Sequence, residues 1–178
     1  MCDEKSGSPL ALKYFSSHML DLSEEPLEEN VGTCKEYLQR MAKCDILLEM
    51  ELGVTGDESM SVLYTQPEEV WEVYQQLSSV PNGRFTVAAA FGNVHGVYAP
   101  GNVDLQPQIL HNTQKYISEK LGDGDPKPTC FVFHGGSGSS REDIRYAIEA
   151  GTIKMNIDTD TQWAFWDGVR EYEAKYHD

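Results

Sequence analysis

The residues of this chain that can do chemistry are Asp21, Glu51, His95, His134, Asn156 and Asp158, and their spacing is regular. Each comes at or just beyond the close of a short apolar run. Asp21 follows Tyr14 to Leu20, Glu51 closes Ile46 to Leu52, and His95 follows Phe85 to Phe91. His134 ends Cys130 to Phe133, and Asn156 with Asp158 ends Ile153 to Ile157. Imidazoles and carboxylates together suit a borderline-soft divalent ion such as Zn2+. A histidine in an apolar setting is equally a hydrogen-bonded interior residue, and that reading stays open for each. As a pair, both set in glycine as Asn93-Val94-His95-Gly96 and His134-Gly135-Gly136, they point to metal, with Asp21 and Glu51 as neighbouring acids. His18, His111 and His177 are read as ordinary structural histidines. Glu49 has the chemistry of Glu51 but is assigned the opposite strand parity, which leaves a solvated or helix-facing role as open as a ligand role.

These runs are expected to be buried strands, each followed by a helix. Leu27, Val31, Cys34, Leu38 and Met41 recur at steps of three and four and form one apolar helix face. The second helix is expected to open with a capping box from Thr65 to Glu68 and to continue with Val70, Val73, Tyr74 and Leu77. A third spans about Pro107 to Leu121. A fourth starts at Ser139 or Ser140 and stops at Gly151, and the last carries Trp163, Trp166, Val169 and Tyr172. Alternating strands and helices make an α/β fold with a parallel sheet, because parallel neighbours need long crossovers. Two topologies fit: an open doubly wound sheet, which the length favours, or five units of an eight-stranded barrel. In either, ligands bind at the carboxyl ends of the strands, where the six residues fall.

His134-Gly135-Gly136-Ser137-Gly138-Ser139-Ser140 lies between a strand and a helix start. Glycines there expose several N–H groups to an anion, and the helix dipole adds positive potential; the same turn also serves as a tight connection. In Asn156-Ile157-Asp158-Thr159, Asp158 or Thr159 is expected to cap the last helix, which is compatible with contact to a ligand.

The 178 residues carry 29 acids against 14 bases, a net charge of −15, with 40% hydrophobic residues. That charge argues against nucleic acid or an anionic membrane as partner, so an anionic substrate must be held by backbone amides, a metal or single side chains. No apolar run reaches the length of a membrane span, the opening MCDEKSGS lacks signal-peptide grammar, and the chain reads as cytoplasmic. The four cysteines form no CxxC pair; Cys34 and Cys130 are expected to be buried thiols. Residues 1–10 are read as a loose leader and 11–178 as the domain.

Six segments resemble class II, metal-dependent fructose-bisphosphate aldolase: Phe15-Ser-Ser-His-Met-Leu-Asp-Leu-Ser23, Leu48-Glu-Met-Glu-Leu-Gly53, Leu63-Tyr-Thr-Gln-Pro67, Phe91-Gly-Asn-Val-His-Gly-Val-Tyr98, Phe133-His-Gly-Gly-Ser-Gly-Ser139 and Met155-Asn-Ile-Asp-Thr-Asp-Thr-Gln-Trp163. The resemblance runs from about Ala11 almost to the end of the chain. It implies a (β/α)8 TIM barrel and overrides the length argument, with the last five of eight βα units present. It also implies zinc-dependent, reversible cleavage of fructose 1,6-bisphosphate to dihydroxyacetone phosphate and glyceraldehyde 3-phosphate, a step of glycolysis and gluconeogenesis.

Residue by residue, the resemblance makes His95 and His134 zinc ligands and places Asp21 and Glu51 at a second divalent site. Gly96, Gly135, Gly136 and Ser137, with Asn156, Ile157, Asp158 and Thr159, match the segments that hold dihydroxyacetone phosphate. Asn156 is placed to steady its enediolate. Glu58, or Asp57, inherits the position of the base that removes the C–H proton, the alternative being an ordinary acidic turn. Carbonyls around Val94, Gly96 and Gly135 would hold a monovalent cation, K+ or Na+. Full-length relatives are commonly homodimers. The alternative expectation is a non-catalytic metal- or phosphate-binding fragment, or half of a split aldolase completed by another fragment.

Overall fold

A computed structural model describes residues 14–53, 64–93 and 104–177; the 1–10 leader lies outside the described residues. Five strands and five helices alternate along them: β1 (Ser17–Leu20), α1 (Leu27–Ala42), β2 (Leu47–Leu52), α2 (Pro67–Ser78), β3 (Phe85–Ala89), α3 (Gln108–Leu121), β4 (Phe131–Phe133), α4 (Arg141–Glu149), β5 (Thr152–Met155) and α5 (Thr159–Tyr176). The strands form one parallel sheet in the order β1-β2-β3-β4-β5. That order decides between the two topologies. A doubly wound sheet reverses strand order at its switch point and puts helices on both faces, whereas a sequential parallel order is that of the barrel.

Parity sorts the side chains accordingly. Leu48, Met50 and Leu52 of β2, Val87 and Ala89 of β3 and Phe131 and Phe133 of β4 share one buried cluster with Val31, Cys34 and Leu38 of α1, Val70, Val73 and Leu77 of α2 and Leu110 and Ile117 of α3. The intervening residues, Glu49, Glu51, Thr86, Ala88, Val132 and His134, take the opposite face of the sheet. One face is thus an apolar seat for helices, and the other carries the ionisable groups.

Local sequence sets the ends of the elements with a few shifts. Ser140 caps α4 by accepting the Asp143 N–H at 3.1 Å, as one of the two expected positions does. Asp158 occupies the N-cap position of α5. The second helix starts one residue later than expected: Gln66 is the N-cap, and its N–H donates to the Glu69 carboxylate at 2.7 Å. Thr65 is instead buried, and its hydroxyl donates to the Leu52 carbonyl at 3.0 Å and accepts the Ala90 N–H at 2.8 Å, tying β2 to β3. β5 stops at Met155, short of the expected Ile157.

One burial expectation is corrected. Cys130 is exposed because β4 begins one residue beyond it, while Cys34 is buried as its stripe requires. The aromatic residues of α5 do not form a buried face: Trp163, Trp166, Val169 and Tyr172 are all exposed, and the helix buries no residue. Helical spacing makes an apolar face but does not supply a surface to cover it.

Candidate active site

The carboxyl ends of β2 and β4 bring together a buried ionic cluster. Glu49, Glu51 and His134 are 2, 4 and 3% exposed. The His134 Nε2 lies 2.8 Å from Glu49 Oε1, and its Nδ1 lies 3.4 Å from Glu51 Oε2. Lys154, reaching over from β5, donates from Nζ to Glu49 Oε2 at 2.6 Å. The opposite strand parity assigned to Glu49 was wrong. Residues two apart on a strand share a face, so Glu49 and Glu51 point together toward His134.

The charges of the cluster are mutually adjusted. Burial acts against a charged His134, but its contacts with Glu49 and Glu51 outweigh that and push its pKa up to about 9. Burial likewise opposes charge on Glu49, yet hydrogen bonds from His134 and Lys154 prevail and hold its carboxyl below the ordinary range.

Buried amides fix the frame beneath these side chains. Asn93 accepts the Phe91 N–H on Oδ1 at 2.8 Å and donates from Nδ2 to the His134 carbonyl at 3.0 Å, so the end of β3 is stapled to the end of β4. Asn30 of α1 donates to the Glu51 carbonyl at 2.9 Å. Gly92 has φ +93°, and a Cβ there would stand 2.0 Å from the Asp104 carbonyl oxygen. Only glycine permits that approach.

The two segments expected at the phosphate also lie side by side. The Gly136 N–H donates to the Asn156 carbonyl at 3.0 Å, and the Asn156 N–H donates to the Phe133 carbonyl at 2.8 Å. The Gly138 N–H donates to the Asp160 carboxylate at 3.0 Å, and the Asp160 N–H donates to the Ser137 hydroxyl at 3.2 Å. Gly135 adopts φ +61°, which turns the chain between β4 and α4. Thr159 opens α5, Asp158 accepts the Gln162 amide at 2.8 Å, and Ile157 is exposed. Asp21 is exposed and engages Ser23, accepting its hydroxyl at 2.7 Å and its N–H at 3.2 Å.

His95, Gly96, Val94, Asp57 and Glu58 lie outside the described residues. Among the described residues no group of three or more His, Cys, Asp or Glu side chains is arranged to hold a metal ion. The donors present nevertheless fit one: an imidazole Nδ1 and a carboxylate oxygen face each other, both buried, and the other ring nitrogen is engaged by Glu49. Reading the sequence singled out neither Lys154 nor Asn30 as a partner of the site. An Asn in the first turn of a helix and a Lys within a strand have many ordinary roles, and only the tertiary contact distinguishes these.

A parallel α/β sheet in sequential order, with a buried His and carboxylate cluster and a glycine-rich turn at the carboxyl ends of its strands, defines the class: an enzyme-type fold of the TIM-barrel kind. The chain belongs to the class-II fructose-bisphosphate aldolase family, whose model, "Fructose-bisphosphate aldolase class-II", matches residues 3–178. It is 58% identical over 170 residues to the fructose-bisphosphate aldolase of Campylobacter jejuni subsp. jejuni serotype O:23/36 (strain 81-176), covering 90% of this chain and 48% of that protein. With the fructose-bisphosphate aldolase class 2 of Escherichia coli (strain K12) it shares 52% identity over 176 residues, 94% of this chain and 47% of that protein. A crystal structure of the Campylobacter jejuni fructose-bisphosphate aldolase superposes with a TM-score of 0.79 at 58% identity, over 90% of this chain and 47% of that one. The chain therefore spans about half the length of the curated relatives it matches. No helix among the described residues is long and apolar enough to cross a membrane.

Proposed function

We propose that this chain provides the metal- and phosphate-binding part of a zinc-dependent aldolase that cleaves fructose 1,6-bisphosphate reversibly to dihydroxyacetone phosphate and glyceraldehyde 3-phosphate, in the glycolytic and gluconeogenic direction and in the cytoplasm. The observation that carries this reading is the buried His134 facing Glu51 across 3.4 Å, beside the glycine-rich turn at the same rim. His134 and His95 would hold the zinc, with Asp21 and Glu51 at a second divalent position. When bound, zinc polarises the ketone of dihydroxyacetone phosphate and acidifies the adjacent C–H.

The rest falls to the chain's own groups. Gly96, Gly135, Gly136 and Ser137, with the segment Asn156 to Thr159, hold the phosphate through those backbone amides that the turn leaves open, the Gly136 N–H itself being donated to the Asn156 carbonyl, and this lets a chain of net charge −15 accept an anion without a basic patch. Asn156 donates to the oxygen on which enediolate charge develops. Glu58 takes the C–H proton as base, with Asp57 beside it. Carbonyls near Val94, Gly96 and Gly135 would hold a monovalent cation, K+ or Na+, which would add positive charge beside the phosphate. Residues 11–178 form the functional domain.

A second reading is half of a split aldolase, joined by a fragment that supplies three more βα units and dimerising as a whole. It is supported by the two edges of the sheet, where Phe15, just before β1, and Ile153 of β5 expose 66 and 62% of their surface. Zinc analysis of the purified chain and a coupled cleavage assay test both. Zinc with slow or no turnover alone, and turnover on adding a fragment that carries the first three units of a relative, supports the aldolase reading in its split form. A chain that binds neither zinc nor dihydroxyacetone phosphate refutes both.

A further inference from the structure

Lys154 stands on β5 in register with Val132 of β4, which turns it to the face that carries Glu49, Glu51 and His134. Its side chain is half-exposed, while the carboxylate it reaches is 3% exposed. Both oxygens of Glu49 are committed: Oε2 to Lys154 at 2.6 Å and Oε1 to His134 at 2.8 Å. The chemistry proposed above makes no use of Lys154.

We propose that Lys154 is a positioning residue: by holding Glu49 Oε2 it turns the carboxylate so that Oε1 takes the His134 Nε2–H, which leaves Nδ1, the nitrogen facing Glu51, to meet a divalent cation. The inference rests on the metal reading of the site and specifies it. An imidazole has two nearly equivalent nitrogens, and the hydrogen bond made by one selects the other as ligand. A ligating imidazole is neutral, so the buried carboxylate that orients it needs its balancing cation from elsewhere. Lys154 supplies that charge without competing for the metal, because an ammonium has no lone pair.

The test uses the purified chain, with zinc affinity measured by competition against a chromophoric chelator. The ring nitrogen that keeps its proton in the zinc-bound form is read from 15N-resolved histidine spectra. The wild-type chain is expected to carry the His134 proton on Nε2. K154M is expected to weaken zinc binding about tenfold and to distribute the proton over both nitrogens, and K154R to recover most of the affinity. Should K154M not fold, E49Q/K154M, which removes both charges of the buried pair, takes its place with the same expected loss. Unchanged affinity and an unchanged Nε2 proton in K154M overturn the role of Lys154, as does a wild-type proton on Nδ1. His134 signals that ignore zinc in the wild-type chain overturn the metal reading instead.

Discussion

The side-chain amide of Asn93 donates to the main-chain carbonyl of His134 at 3.0 Å, and its own carbonyl accepts the Phe91 N–H at 2.8 Å. One buried amide thereby sets the spacing between the ends of β3 and β4, the two strands whose following residues were expected to ligate metal.

Replacing Asn93 with Ala should therefore cost about 2 kcal/mol of stability, because it strands a buried N–H and a buried carbonyl together. Urea unfolding of N93A should show a lower midpoint at an unchanged slope. A midpoint equal to the wild type would mean that the amide is not needed to hold the two strand ends.

Gly92 leads into that amide with φ +93° and with the Asp104 carbonyl pressed against its Cα. G92A combines a left-handed backbone with a contact no side chain tolerates, and the expected loss is roughly 2 kcal/mol or more. Thermal unfolding of G92A beside G122A makes the comparison: Gly122 also has positive φ, at +67°, but open space around its Cα, so its alanine variant should lose less.

The hydroxyl of Thr65 joins the Leu52 carbonyl to the Ala90 N–H. T65V preserves shape and removes both bonds, with an expected cost of about 1 to 3 kcal/mol. T65S should keep most of the stability, since it retains the hydroxyl. Equal melting of T65V and wild type would contradict the bridging role.

The metal-free chain should lose stability on the alkaline side. His134 is raised on folding from 6.5 to about 9 by its two glutamates, against the effect of burial. A group raised on folding contributes stability that is complete below its unfolded pKa and lost as pH climbs through the folded one, so the loss falls between about 6.5 and 9. Glu49 acts in the opposite sense: its carboxyl is lowered on folding, so its contribution is present above about 4.5 and fades in acid. Urea midpoints of chelator-treated protein at pH 6, 7.5 and 9.5 should decline in order, and H134Q should flatten the series. A flat wild-type series would refute the ionic cluster.

By itself the sequence determined the alternation of strands and helices, the apolar stripes of α1 and α2 and the placement of ligand-type residues at strand ends. Each of these follows from local periodicity and from caps such as Ser140. The aldolase motifs were legible for the same reason, being continuous in sequence. Periodicity left the open sheet and the barrel both open; the aldolase motifs pointed to the barrel, and the tertiary structure shows its strand order, because strand neighbours are set by pairing across the sheet and not by spacing along the chain. It also decided which residues meet at His134. Glu49 and Lys154 are 105 positions apart, and Asn93 and His134 are 41 apart; no local pattern encodes such contacts. The aromatic residues of α5 illustrate the converse, since they recur at helical spacing and the fold provides nothing to cover them among the described residues. Burial belongs to the pair of surfaces that meet, and the sequence of one element specifies only its own side.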